Sequence, residues 1–280
     1  MGNLEPLART YPAGVTSWIE VAQPDVGAAI SFYGGLFGWE LEDVLEPGGP
    51  ARHVVATLGG LDVASISGPD ASAAWATYVA VDDADAVAAA MVDLGATLVA
   101  EPEDAGPDGR AATLRDPQGA ELRLWQARRR LGAQLTNSPG AWNFSDLHTT
   151  DPAAAQRFYE GALGWRVVDQ GWSTAIQVPG YGDHLEATVD PDIRTRQASA
   201  PDGFEDVIGS IAAAEDGEEA HWHVTFTVAD RDDAVARVER LGGLVLRSDE
   251  NDWTRDALVR DPQGATFTVS QFAPKEWSAD

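Results

Sequence analysis

The sequence predicts an α+β protein of four strand–helix–strands modules, arranged as two tandem copies of one domain. Three observations predict it. Phe32-Tyr33-Gly34-Gly35-Leu36-Phe37-Gly38-Trp39 returns as Phe158-Tyr159-Glu160-Gly161-Ala162-Leu163-Gly164-Trp165, 126 positions later. Asp116-Pro117-Gln118-Gly119 returns as Asp261-Pro262-Gln263-Gly264, 145 positions later. Two signatures repeated in the same order mark a duplicated unit. Within each copy, segments of strand period alternate with capped segments of helix type.

Residues 16–21 alternate as a half-buried strand does. Asp25 then caps a helix running to about Leu36, and Asp151-Pro152 repeats the cap with Pro at the first helical position. Extended segments follow at 53–58 and 63–67. A strand at 75–81 leads to a helix at 83–94 that Gly95 stops, and the second copy repeats this as 222–228, 230–241 and Gly242. The Asp82-Asp83-Ala84-Asp85 run reads as a helix N-terminus meeting its dipole. Strands 111–115 and 120–126 flank the first Asp-Pro-Gln-Gly turn, and 257–260 and 265–272 flank the second. The second copy is longer by 19 residues, assigned to 190–220, with a short helix expected at 204–211. That stretch reads as a surface insertion or a lid.

Composition narrows the function. The chain of 280 residues has no Cys, which excludes disulfides, thiolate zinc sites and Cys nucleophiles. There is no nucleophile-elbow Ser motif and no phosphate loop. Met1–Tyr11 lacks a secretory pattern and no stretch is apolar enough to span a bilayer, so a cytoplasmic protein is expected. The net charge is −26, with −11 in residues 1–130 and −15 in the rest. Such a field repels nucleic acid and anionic membrane and attracts cationic ligands.

These signatures resemble the vicinal-oxygen-chelate superfamily of glyoxalase I, extradiol dioxygenases and bleomycin-resistance proteins. The resemblance rests on Asp25, Phe32-Tyr33, Gly38 and their repeats, on Val81-Asp82 and Val228-Ala229-Asp230, and on both Asp-Pro-Gln-Gly turns. It implies four βαβββ modules forming two glyoxalase/bleomycin-resistance-like domains, whose sheets curl into cups. The expected boundaries are 1–128 and 142–280, with a linker at 129–141. Trp18-Ile19-Glu20 and Leu36-Phe37-Gly38-Trp39 resemble two-domain actinobacterial members, some similar to accessory or resistance proteins for anthracyclines. One Lys against eighteen Arg suits a high-GC bacterium.

Strand alternation sorts the side chains. Ile19, Val21, Leu147, Trp75, Val79, Trp222, Phe226, Leu122, Leu124, Phe267 and Val269 pack against helices. Trp18, Glu20, Tyr78, Arg123, Trp125, Phe144, Asp146, His148 and His223 then face the cups and are the candidate ligand-binding residues. Trp39 and Trp165 fill core. Metal-binding members of the family carry His, Gln or Glu at set cup-facing places. Counted from the family landmarks, those places hold Trp18, Ala76 and Arg123 in the first half, and Phe144, His223 and Thr268 in the second. Only His223 is able to ligate, so no metal cofactor is expected. The alternative is a rearranged site from His148, His223 and Asp146 or Glu186, with His184 near the fourth place. It would hold a divalent Fe, Mn, Ni or Zn.

Two main readings follow. The first is a metal-free protein that binds a planar aromatic, cationic natural product resembling an anthracycline or bleomycin. It would serve self-resistance, or be a biosynthetic accessory partnered with a tailoring oxygenase. Stacking on Trp18, Tyr78, Trp125 and Phe144, with Glu20 or Asp146 receiving an amine, supports it. Glu20 paired with Arg123 is the purely structural reading of that carboxylate. The second is a metal-dependent dioxygenase, lyase or hydroxylase acting in the C-terminal half. A third reading is a stress or surface-interaction protein with vestigial pockets. Monomer and homodimer are both compatible with the duplication.

Overall fold

The computed structural model describes residues 8–45, 49–171 and 173–275; residues 1–7 of the N-terminal segment lie outside them. The first module runs β1 (Thr16–Ala22), α1 (Val26–Phe37), β2 (Glu40–Asp43), β3 (Arg52–Leu58), β4 (Leu61–Gly68). The second runs β5 (Ala74–Ala80), α2 (Ala84–Asp93), β6 (Thr97–Ala105), β7 (Gly109–Arg115), β8 (Glu121–Ala127). The third is β9 (Trp142–Thr149), α3 (Pro152–Leu163), β10 (Arg166–Asp169), β11 (Thr174–Gln177), α4 (Tyr181–Ala187), α5 (Ile193–Arg196), β12 (Val207–Ala213). The fourth is β13 (His221–Thr227), α6 (Arg231–Arg240), β14 (Leu244–Glu250), β15 (Thr254–Arg260), β16 (Thr266–Phe272).

The four long module helices start alike. Asp25, Asp83, Asp151 and Asp230 each accept a hydrogen bond from the backbone N–H three residues on, at 2.9–3.0 Å. Gly38 and Gly164 end α1 and α3 in the left-handed conformation, at φ 75° and 68°.

The strands form two eight-stranded sheets, β2-β3-β4-β1-β5-β8-β7-β6 and β10-β11-β12-β9-β13-β16-β15-β14. Within a module the last strand lies parallel to the first, as β4 does to β1 and β8 to β5. This is the βαβββ module. The outer strands β2, β6, β10 and β14 are additions to the strands read from sequence. They are sheet edges rich in exposed charge, so they carry no alternating apolar pattern.

The 19 additional residues fall between β11 and β12, earlier than the 190–220 read from sequence, and include α4 and α5. The helix expected at 204–211 is instead a 3₁₀ turn, Phe204–Asp206, followed by β12. Ile208 and Ile211, both buried, mimic helical spacing. Gly209 explains the strand: a Cβ there would clash with the Ser145 carbonyl oxygen of β9, so close pairing of backbones requires glycine.

The chain forms two compact units. One comprises residues 1–18, 77–134 and 145–222; the other comprises 19–76, 135–144 and 223–280. The second unit therefore joins the first and fourth modules. Its core is aromatic: Tyr33 stacks on Trp39 at 5.8 Å, and Phe37 and Phe226 lie 4.6 Å apart. In the other unit Tyr159 stacks on Trp165 at 4.8 Å and meets Trp222 edge-on at 5.7 Å. Trp39 and Trp165 are buried, and each indole N–H donates to a glycine carbonyl at 2.7 Å, that of Gly140 and of Gly14.

The repeated signatures meet inside these units. Asp261 Oδ2 accepts from Tyr33 Oη at 2.8 Å and from Gln23 Nε2 at 2.6 Å, while its Oδ1 takes the turn N–H groups of Gln263, Gly264 and Ala265. Gln263 bonds both backbone groups of Asp25, the α1 cap. In the other unit Asp116 Oδ2 accepts from Tyr159 Oη at 3.1 Å, and Gln118 bonds the backbone of Asp151. Each Asp-Pro-Gln-Gly turn thus clamps a helix start in a different module. Among the described residues no helix is long and apolar enough to cross a membrane, which says nothing of crossing by strands.

Candidate functional site

Four of the expected site residues come together in the first-described unit. The parallel register sets Tyr78 beside Arg123 and Ala80 beside Trp125. Arg123 Nη1 donates to Tyr78 Oη at 2.8 Å, and its guanidinium carbon lies 5.3 Å from the Tyr78 ring centre. Trp125 meets Tyr78 edge-on at 6.2 Å. Its indole N–H donates to the Arg130 carbonyl at 2.9 Å, and the Arg130 guanidinium lies 5.8 Å from the Trp18 ring. Both are cation–π contacts. Asp108, 3.6 Å from Arg130, holds that guanidinium. Gly109 makes room for the assembly, since a Cβ there would meet the Trp125 ring at 2.5 Å. Trp18, Tyr78 and Trp125 are 5%, 8% and 8% exposed. The rings read from sequence as open walls are therefore mostly covered, and two meet guanidinium groups of the chain itself.

In the other unit, pairing of β1 with β4 sets Glu20 beside Ser65 and Ala22 beside Ser67. Ser65 Oγ donates to Glu20 Oε2 and Ser67 Oγ to Oε1, each at 3.0 Å, and His53 Nδ1 lies 3.3 Å from Oε2. Glu20 is buried, so these polar neighbours offset its desolvation. His223, also buried, pairs with Thr268 Oγ1 at 2.8 Å. Phe144 on β9 is half-buried. A cleft of about 150 Å³ lies among Leu36, Phe37, Pro139, Asp230, Asp233 and Arg237, and none of the candidate ligand-binding residues lines it.

Asp146 and His148 belong to the first-described unit. Asp146 Oδ1 accepts from the backbone N–H and hydroxyl of Ser210, both at 2.8 Å. Burial pushes its carboxyl above the ordinary range, more strongly than Ser210 and the His148 charge pull it down. His148 Nδ1 lies 3.0 Å from Glu218 Oε1, and His221 Nε2 lies 3.8 Å from the same oxygen. The two imidazole rings are 4.9 Å apart. Glu218 is held below the ordinary carboxylate range. Burial raises it, but the Glu215 backbone N–H and the charge and hydrogen bond of His148 together outweigh burial.

Glu186, the carboxylate grouped with His148 in the sequence alternative, sits exposed on α4 in an ion pair with Arg194. His184 bonds Thr10 and stacks on Tyr181. The carboxylate that does meet His148 is Glu218. Sequence reasoning missed it, because its only local signal is the three-residue spacing to His221.

The places at which the family resemblance would put metal ligands do not fit an ion. Indole, methyl and guanidinium groups stand at Trp18, Ala76 and Arg123. In the second half a phenyl and a hydroxyl leave His223 as the one strong ligand.

The βαβββ modules, the repeated turns and the strand places define a vicinal-oxygen-chelate protein. Residues 18–125 and 130–270 match the glyoxalase-like domain, and the chain belongs to that family. It is 34% identical over 279 residues to the putative glyoxylase CFP32 of Mycobacterium tuberculosis, covering 97% of this chain and all of that one. It is 31% identical to the anthracycline biosynthesis protein DauV of Streptomyces sp. strain C5, over 94% of each chain. Among solved structures, the Mn(II)-bound glyoxalase of Novosphingobium aromaticivorans superposes with a TM-score of 0.59 at 15% identity, covering 92% of this chain and 82% of that one. That likeness concerns the fold alone.

Proposed function

We propose that this chain is a binding protein for a planar aromatic, cationic natural product of the anthracycline kind, working without a metal at the family's chelating places. It would sequester the compound, or carry it as an accessory to a tailoring oxygenase. The observation that carries the reading is the replacement of ligating side chains by Trp18, Arg123 and Phe144. Tyr78 and Trp125 beside Arg123 extend the first of these places into a ring cluster. Once the Arg123 and Arg130 guanidinium groups turn aside, these rings would favour a flat guest by offset stacking, about 0.5–1.5 kcal/mol per pair beyond burial. The net charge of −26 raises the local concentration of a guest bearing an amine. The relationship to an anthracycline biosynthesis protein supports the choice of compound class.

Titration of the full chain with an amino-sugar anthracycline, followed by Trp fluorescence, tests this. Saturable quenching that weakens in Trp18→Ala and Trp125→Ala is expected, with weaker binding of the same ring system lacking the amine. Absence of saturable quenching across a panel of such compounds refutes it.

A further inference from the structure

We propose that His148, Glu218 and His221 form a binding site for a divalent first-row transition ion, outside the family's ligand places. His148 lies four residues along β9 from Phe144, and His221 lies two residues before His223 on β13. Among the described residues these three form the group whose ligand atoms all lie within 4.8 Å of one another. At metal–ligand distances of 2.0–2.2 Å, tetrahedral ligands sit about 3.3–3.6 Å apart. The observed 3.0 Å and 3.8 Å from Glu218 Oε1 bracket that range. Small rotations of three partly exposed side chains bring the set to coordination distance.

The surroundings orient the ligands. His221 Nδ1 lies 2.9 Å from the Glu219 carbonyl. A carbonyl only accepts, so Nδ1 carries the proton and Nε2 is the coordinating nitrogen. Metal-bound imidazoles are commonly aligned by such a bond. Glu218 Oε2 accepts from the Glu215 backbone N–H at 2.7 Å, which turns Oε1 toward both rings. On His148, the ion replaces the proton that bridges Nδ1 to Glu218. Two imidazoles and one carboxylate suit Zn, Fe, Co or Ni, not Mg or Ca, and leave positions for water or another ligand.

The test uses the metal alone, so it is independent of the aromatic-guest reading. The full chain, stripped with chelator, is titrated with Zn²⁺ calorimetrically and with Co²⁺ by visible absorption. Excess Mg²⁺ suppresses diffuse binding to the acidic surface. One equivalent is expected to bind, with the cobalt band of a nitrogen- and oxygen-ligated site. His148→Ala, His221→Ala and Glu218→Gln should each weaken binding by at least about 100-fold, the upper end for loss of a mere outer-sphere partner. His223→Ala should leave it unchanged. Thermal melts establish that each variant is folded, and Glu218→Gln keeps the side-chain shape should a histidine variant not fold. No stoichiometric binding, binding that survives all the folded site variants, or binding lost in His223→Ala overturns the inference.

Discussion

Replacing Tyr159 by Phe removes one hydroxyl from a buried carboxylate, and replacing Tyr33 by Phe does the same in the other unit. The two should differ in cost. Asp261 Oδ2 keeps Gln23 Nε2 at 2.6 Å after Tyr33 loses its hydroxyl. Asp116 Oδ2 accepts from Tyr159 at 3.1 Å with no second side-chain donor among the described hydrogen bonds, and Trp222 Nε1 also loses its acceptor at 3.3 Å. Hydrogen bonds to charged groups contribute about 1.5–3 kcal/mol, and an orphaned buried acceptor costs toward the upper end. Tyr33→Phe should therefore cost about 1.5 kcal/mol and Tyr159→Phe about 3 kcal/mol. Urea denaturation followed by Trp fluorescence and circular dichroism measures both. The reasoning fails if Tyr33→Phe costs as much as Tyr159→Phe. It also fails if both lie within about 0.5 kcal/mol of the parent, the range of ordinary surface changes.

The same burial governs alkaline behaviour. Tyr33 and Tyr159 are pushed well above the ordinary value of 10.0 by burial first and the neighbouring Asp carboxylate second, and burial also raises Tyr11. A raised folded value means stability is complete below the unfolded value near 10 and falls as pH rises beyond it. Tyrosinate absorbance at pH 11 should show these three of the five tyrosines still protonated in the folded chain and ionised after unfolding; ionisation of all five without unfolding contradicts this. Gly109→Ala drives a methyl into Trp125 at 2.5 Å. It should destabilise by about 1–3 kcal/mol in the same urea assay and weaken anthracycline quenching; a neutral effect on both refutes the role given to Gly109.

The legible parts of the fold were those with local chemistry. Asp25, Asp83, Asp151 and Asp230 announce helix starts, and Gly95 and Gly242 announce stops. The illegible parts depend on contacts distant in sequence. Strands β6 and β14 are edges whose exposed residues carry no period, and β12 hid behind the spacing of Ile208 and Ile211. The candidate site divides the same way. Alternation placed Tyr78, Arg123 and Trp125 on one face of their strands, and Tyr78 touches both of the others. It carried no sign that Arg130, beyond the end of β8, would reach Trp18, or that Glu218, from the loop between β12 and β13, would meet His148.

Joining the first module to the fourth also shapes how the chain is made. The apolar face of α1, with Phe32, Tyr33 and Phe37, acquires Phe226 and Phe267 only when the fourth module emerges. At about 5–20 residues per second the ribosome needs roughly 10–45 s to synthesise the roughly 190–230 residues between them. Until then α1 waits with its aromatic side uncovered, a natural client for a holdase, while the second and third modules, complete at Ala213, are able to close on each other first.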